Sequence, residues 1–315
     1  FRISFVGGGS DLKDFYEKSE GSVVSLPIDK YVYILANKFF YNKIQLKYSK
    51  TELVSDIKYI KHSIFKKVLE KYKVGSIDIN SIADIPSKTG LASSSAFTCA
   101  LVATIRDYLS LKIENYEIAK EACDIEINKL KKPIGKQDQF GSAIGGIKKI
   151  IFKVDKSVEI KKIKLEKKYY KKLEESICLY YISSNKNLNS ILFDVKKNLV
   201  NKKEKFCKMI EMTQLVDPFI NSLRKGDIKE AGNILNINWE LKKSLSNKIT
   251  NYKINEIYKT GIKNGAYGGK LLGSGGGGFI LFLCNKNTQK QLNQSLETLE
   301  KMPVKIDKKG LVRFI

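Results

Sequence analysis

Between Pro86 and Ala96 the chain reads Pro-Ser-Lys88-Thr-Gly90-Leu91-Ala92-Ser93-Ser94-Ser95-Ala and runs straight into an apolar stretch with helical character to about Leu111. No other segment limits the possible folds so sharply. A turn of small residues ends on a helix start, where the first backbone N–H groups lack an intrahelical acceptor and carry the positive end of the dipole. Such a turn suits an anion, phosphate above all. Gly90 and Ala92 let phosphate approach the main chain, and a serine hydroxyl there is able to ligate Mg2+. The plain alternative is a serine-rich N-cap, for which a single Ser would suffice. The run GxxxxGK[ST] occurs nowhere, so this is not a Walker A loop.

Two other turns are rich in glycine: Gly7-Gly8-Gly9, and Gly273-Ser-Gly275-Gly276-Gly277-Gly278. Four consecutive glycines before the apolar strand Phe279–Cys284 lose much conformational freedom on folding. They make sense where another backbone or a ligand comes very near, and a simple tight turn is the competing reading. Three acids stand near these segments. Asp11 follows the first turn. Glu126 sits late in a helical stretch whose other face is apolar. Asp138 lies in the loop Gly135-Lys-Gln-Asp-Gln139. Each alone reads as a solvated charge. Beside a phosphate cradle, however, they match the needs of phosphoryl transfer: a cation, a carboxylate to hold it, and a group that readies the acceptor hydroxyl. Glu121 and Asp124 compete with Glu126, because helix phase is open by a turn.

Composition removes other classes. The 315 residues are 43% hydrophobic and 29% charged, enough for a sizeable core and against wholesale disorder. Apolar runs are too short to span a bilayer, and no basic-then-apolar leader opens the chain at Phe1. Five scattered cysteines without a CxxC argue for a reducing cytoplasm and against a thiolate zinc site. The single histidine, His62, would have to serve any Ser–His–Asp or Cys–His mechanism. The formal charge of +24 invites a nucleic-acid reading, yet only four of the 57 basic residues are Arg (Arg2, Arg106, Arg224 and Arg313). Base and phosphate recognition favours Arg forks. Lysine spread among Asn and Ile instead looks like codon bias acting on solvated faces, so no nucleic-acid or membrane partner is expected. The basic field serves at most to draw in anionic substrates.

Strands are expected over 1–6, 22–36, 75–82, 147–154, 177–182 and 279–284. Helices are expected over 56–73, from Ala96 to about 111, and over 115–130, 187–213, 214–225, 227–245 and 250–264. A loop covers Lys131 to Gly141, and a short helix and strand finish the chain. This mixing without strict alternation predicts an α+β fold. The charged stretch near 155–170 marks a boundary, giving expected domains 1–165 and 166–315.

Three spaced segments resemble the motifs of the GHMP kinases (galactokinase, homoserine, mevalonate and phosphomevalonate kinases). They are Phe1-Arg-Ile-Ser-Phe-Val-Gly-Gly-Gly-Ser-Asp11, Pro86 to Ala96, and Gly265-Ala-Tyr-Gly-Gly-Lys-Leu-Leu-Gly-Ser-Gly-Gly-Gly-Gly-Phe279. Gly-Lys-Gln-Asp-Gln-Phe140 is similar to the catalytic-Asp loop of the sugar kinases in that family. Within it, the opening is most similar to the branch that phosphorylates the anomeric hydroxyl of D-glycero-D-manno-heptose 7-phosphate for capsule or lipopolysaccharide precursors. The resemblance implies a two-domain fold, with an N-terminal domain like the second domain of ribosomal protein S5 and a ferredoxin-like C-terminal one. It implies ATP and Mg2+ as cofactors and a small sugar phosphate as substrate. It implies that Pro86, Lys88 and Gly90 to Ser95 bind nucleotide phosphates, with Ser94 and Glu126 on the metal. Asp138 would be the base and Arg2 its electrostatic partner. Asp11, Gly8, Gly9 and Gly275–Gly277 would face the substrate. Ala92 stands where many members carry Gly, and Lys88 interrupts the loop. Lys131, Lys132 and Lys136 are candidates for the substrate's own phosphate, against the plainer reading of solvated lysines. Another sugar acceptor, a silent sensor on the same scaffold, and an RNA-binding protein are the rivals.

Overall fold

The computed structural model describes residues 1–183 and 188–314. Three four-stranded sheets organise them. The first orders β1 (Arg2–Ser4), β2 (Gly21–Pro27), β7 (Lys148–Phe152) and β8 (Val158–Lys162), all antiparallel. The second orders β3 (Val32–Lys38), β6 (Ile77–Ala83), β4 (Ile44–Lys47) and β5 (Thr51–Val54), with β4 parallel to β6. The third orders β10 (Ala266–Leu271), β11 (Gly278–Cys284), β9 (Ile177–Ser183) and β12 (Glu300–Met302). Helices of the first half are α1 (Lys13–Tyr16), α2 (Ser63–Tyr72), α3 (Ser93–Tyr108), α4 (Asn115–Cys123) and α5 (Gln137–Ala143). The second half carries α6 (Lys167–Ser176), α7 (Leu188–Asn201), α8 (Lys203–Gln214), α9 (Val216–Arg224), α10 (Ile228–Ser244), α11 (Tyr252–Lys263) and α12 (Gln289–Ser295). The α+β expectation holds.

Several local expectations need correction. The strand expected over 22–36 is two strands in different sheets, because Pro27 has no N–H to extend the ladder and residues 28–31 turn the chain. The helix expected over 56–73 is a 3₁₀ turn at Ile57–Tyr59 followed by α2. His62 separates them: its Nδ1 accepts from the Phe65 N–H at 3.4 Å and its ring packs among Tyr48, Phe65 and Phe97. The lone histidine is thus a helix cap. The expected helix 187–213 starts at a residue outside those described, and the rest breaks at Lys202 into α7 and α8. The expected loop 131–141 ends in α5, which begins at Gln137. Strands β4, β5, β8 and β10 were not anticipated.

Three apolar cores hold the molecule together. One belongs to the first half, around Phe65, Leu101, Val102 and Phe140. Another lies mainly in the second, around Trp239, Phe282 and Leu292, and takes in Leu12 and Phe15 from the first. The third is shared: Phe1, Ile3 and Phe5 of the first strand region pack with Val216, Phe219, Leu272 and Phe279. The Phe5 and Phe219 rings lie 5.1 Å apart. Burying large apolar side chains contributes roughly 1.5–3 kcal/mol each, so this seam joins the halves firmly. After β12 the chain returns to the first half, where Ile306 bridges Ile28 and Gly310 bridges Ile144. Among the described residues no helix is long and apolar enough to cross a membrane.

Candidate active site

The shared seam places β1, the Pro86–Ala96 turn and the second glycine turn side by side. Arg2 of β1 is 3% exposed. Its Nε and Nη2 donate to Asp138 Oδ1 at 3.1 and 2.5 Å, and its Nη1 donates to the Gly90 carbonyl at 3.0 Å. Its backbone N–H reaches the Leu91 carbonyl at 3.2 Å. One guanidinium therefore ties the expected base to the expected phosphate turn. Asp138 stands in the first turn of α5 with its side chain partly exposed.

The serine-rich cap does not form. The N-cap of α3 is Ala92, in a left-handed conformation (φ 68°, ψ 31°), and no side chain caps the helix. The three serines occupy its first turn, Ser94 exposed and Ser95 buried. The turn itself is braced by backbone. A Cβ on Gly90 (φ +85°) would sit 2.5 Å from the Leu272 carbonyl oxygen, and one on Gly278 (φ +106°) would sit 2.4 Å from that of Thr89. Only glycine fits such main-chain contact at positive φ. The Phe279 N–H donates to the Thr89 carbonyl at 3.1 Å, completing the contact. Gly276 N–H donates to the Ile249 carbonyl at 2.8 Å, and Gly275 and Gly277 are buried in the same turn. Lys88 and Pro86 lie on the exposed outer side of the loop.

A second cluster adjoins the first. Residues 124–129 form a π-helical continuation of α4, the kind of widened turn that often marks function. It settles the phase question. Glu121 pairs with Lys71 and Arg106, Asp124 accepts from Asn128 at 2.9 Å, and Glu126 alone of the three turns to the α3 start. Glu126 is fully buried. Its Oε1 accepts from Ser94 Oγ at 2.7 Å and from Lys132 Nζ at 2.8 Å, and its Oε2 accepts from Gln139 Nε2 at 2.8 Å.

Asp11 is brought beside Asp138 but is nearly closed off. Its oxygens accept from the Gly9 N–H at 3.0 Å, the Gln137 N–H at 3.2 Å and Gln137 Nε2 at 2.7 Å. Gln137 Oε1 accepts in turn from Ser4 Oγ at 2.8 Å, and Gly8 lies against both side chains. Burial, with the neighbouring Asp138 charge, pushes the Asp11 carboxyl from 3.8 up to about 6, although the N–H groups of Gln137 and Gly9 pull it down. The folded state thus holds this proton more tightly than the unfolded chain. The stability that Asp11 contributes is full below about pH 4 and is lost as pH rises through about 6. An Asp11→Asn variant has no proton to lose. It is expected to flatten the pH 4–6 limb of the stability curve by on the order of 1–3 kcal/mol. Urea midpoints at stepped pH would read this, and an unchanged limb would show that Asp11 titrates alike in both states.

Sequence reasoning missed four contributors. Gln137 and Gln139 flank Asp138 and, in sequence, carry no signal beyond the loop motif, yet they hold Asp11 and Glu126. Lys132 was weighed for a substrate phosphate, yet it points at Ser94 and Glu126. Lys136, weighed with it, donates to the Lys156 carbonyl at 2.6 Å and stacks over Tyr16 instead. Lys242 is buried, donates to the carbonyls of Leu271 and Gly273, and has its pKa lowered to about 8 by burial and then by Arg2. Its signal was legible: Ile228, Ala231, Leu235, Trp239 and Lys242 share the buried stripe of α10.

Arg2 with Asp138, an uncapped helix start, and Ser94 with Glu126 thus lie together along the seam between the halves. The description "GHMP kinases N terminal domain" matches residues 58–146 and "GHMP kinases C terminal" matches 219–299, together more than half of the chain. The chain belongs to the GHMP kinases, and its two-part α+β architecture is that of the family. It is 28% identical over 308 residues to the D-glycero-alpha-D-manno-heptose 7-phosphate kinase of Campylobacter jejuni, covering 94% of this chain and 91% of that protein. It is 23% identical over 334 residues to the galactokinase of Pyrococcus furiosus, covering 94% and 90%. Among solved structures, a D-glycero-D-manno-heptose 1-phosphate kinase from Bacteroides thetaiotaomicron superposes with a TM-score of 0.79 at 23% identity, covering 98% of this chain and 95% of that one.

Proposed function

We propose that the protein transfers the γ-phosphoryl group of ATP to the anomeric hydroxyl of D-glycero-D-manno-heptose 7-phosphate, giving the 1,7-bisphosphate for capsule or lipopolysaccharide precursors. One observation carries the reading: the Arg2–Asp138 pair is hydrogen-bonded directly to the turn that opens α3. The similarity to the Campylobacter heptose kinase supports the acceptor.

The phosphates are assigned to the turn from Gly90 to Ser95, with Pro86 and Lys88 at its rim, where the first-turn N–H groups of α3 and its dipole favour negative charge. Mg2+ suits Ser94 and Glu126, because Glu126 is a fully buried carboxylate already bridged by a cation. Bound there, the ion would neutralise charge on the transferring group. Among the described residues no three His, Cys, Asp or Glu side chains gather to hold a metal. Phosphate oxygens and water would supply the remaining ligands of a Mg2+ held by Ser94 and Glu126.

Asp138 takes the proton of the acceptor hydroxyl. Arg2 Nε and Nη2 both donate to its Oδ1, and among the described residues no hydrogen bond falls on Oδ2, which leaves that oxygen to accept a proton. An anomeric hydroxyl is more acidic than an ordinary alcohol, which eases the transfer to a carboxylate. Arg2 stabilises the resulting charge. Gly8, Gly9 and Gly275–Gly277 wall the acceptor side. A sugar hydroxyl reaches Asp11 by replacing a Gln137 donor. The lobes 1–165 and 166–315 would each contribute one wall, in a cytoplasmic setting that suits five unpaired cysteines.

An acceptor panel tests the reading. With ATP and Mg2+, heptose 7-phosphate is expected to turn over at least tenfold faster than galactose, fucose or unphosphorylated heptose, with the new phosphate on the anomeric carbon by phosphorus NMR. Galactose as the best acceptor would remove the heptose assignment and favour the galactokinase relationship.

A further inference from the structure

Lys132 is placed where a cation is wanted. Its Nζ lies 2.8 Å from Ser94 Oγ and 2.8 Å from Glu126 Oε1, which are themselves 2.7 Å apart. The arrangement is built by the backbone. After the π-helical turn, Lys131 takes a left-handed conformation (φ 54°), and the Lys132 N–H returns to the Glu126 carbonyl at 3.0 Å. The side chain is thereby directed back over the carboxylate. Glu126 is fully buried, while the Lys132 side chain is 27% exposed. Among the described residues Lys132 is the one cation paired with this carboxylate. A buried carboxylate stripped of its counter-charge is strongly disfavoured.

We propose that the Lys132 ammonium is a tethered counter-ion that fills the Ser94–Glu126 metal seat in the nucleotide-free enzyme, and that Mg2+ enters by displacing it. The proposal rests on the kinase reading, which gives Ser94 and Glu126 to the metal. Two cations cannot share one carboxylate oxygen at contact distance without strong repulsion. A tethered ammonium competes at high effective concentration, so free Mg2+ is held off. Magnesium arriving with a nucleotide brings phosphate oxygens into the same shell and tips the exchange. The flexible four-carbon stem of lysine and its partial exposure give the ammonium a way out. The seat is thus selective for metal–nucleotide over free metal, and Glu126 is never left without a positive neighbour.

The test uses Mn2+ without nucleotide, followed by electron paramagnetic resonance, on the full chain and on Lys132→Met and Lys132→Gln. Both variants are expected to bind Mn2+ at least fivefold more tightly than the wild type, and adding Glu126→Gln to either is expected to erase the gain. Melting gives a second readout: Mn2+ alone is expected to raise the Tm of the Lys132 variants and to leave that of the wild type unmoved. A gain smaller than fivefold, or a gain that survives Glu126→Gln, overturns the exchange. If Lys132→Met does not fold, Lys132→Gln is read alone. Calorimetry of the wild type with Mg2+ and a non-hydrolysable ATP analogue separates the two claims. Uptake there with unchanged Mn2+ affinity in the variants removes only the exchange, whereas no uptake removes the kinase reading and the exchange with it.

Discussion

Replacing Asp138 by Asn is expected to lower turnover about a thousandfold while leaving ATP affinity within a few-fold of wild type. The size follows from what the amide lacks. Asn keeps the shape and an oxygen for the Arg2 fork, but that oxygen is a poor proton acceptor. Arg2 stays anchored by the Gly90 carbonyl, so the phosphate turn keeps its position. The loss should therefore fall on kcat rather than on nucleotide binding. Steady-state kinetics with ATP varied at saturating acceptor would read it. Turnover within tenfold of wild type would mean that Asp138 only orients the acceptor and that another group takes the proton.

The second large effect is structural. Gly90→Ala adds a Cβ 2.5 Å from the Leu272 carbonyl oxygen and 2.7 Å from its carbon, at a backbone φ of +85°. A non-glycine residue in such a conformation costs roughly 1–3 kcal/mol, before the overlap with a neighbouring main chain. Because that neighbour is itself a tight turn, it yields little. We expect a loss of roughly 2–4 kcal/mol and a Tm lower by about 3–6 °C. The displaced turn also carries away the Gly90 carbonyl that holds Arg2, so the KM for ATP should rise about tenfold. Gly75→Ala is the control: its Cβ meets nothing within 4 Å, and its stability should be nearly unchanged. If the two variants melted alike, the glycine turns would not be bracing each other.

Much of this site could be read from the residues alone. The serine turn, the glycine turns and the three acids stand close in space, and each had a chemical reason to be singled out. What stayed hidden depends on context that local pattern does not carry. Ala266–Leu271, with Gly268 and Gly269 at its centre, carries no strand signal, and no element is expected there. It is a strand because it pairs with β11, and α10 crosses it so closely that a Cβ on Gly268 would overlap the Gly232 carbonyl. Strand β8 has its alternation, Val158 and Ile160 against Glu159 and Lys161, but five residues among so many lysines read as a boundary. The π-helical turn left no mark in composition, and without it Glu126 could not be told from Glu121. Lys132 stood out only as one of three lysines near the Asp138 loop, and its tie to Ser94 and Glu126 depends on the fold.

The greasy seam in which Phe1, Ile3 and Phe5 meet Phe219 and Leu272 has a practical corollary. A fragment cut after residue 165 would bare one side of its opening strand to water, and the remaining piece would lose the same cover. Dissecting the enzyme into separately expressed lobes would therefore yield sticky, poorly behaved material. The arginine at that strand's start works from a rigid mount rather than from the edge of a hinge.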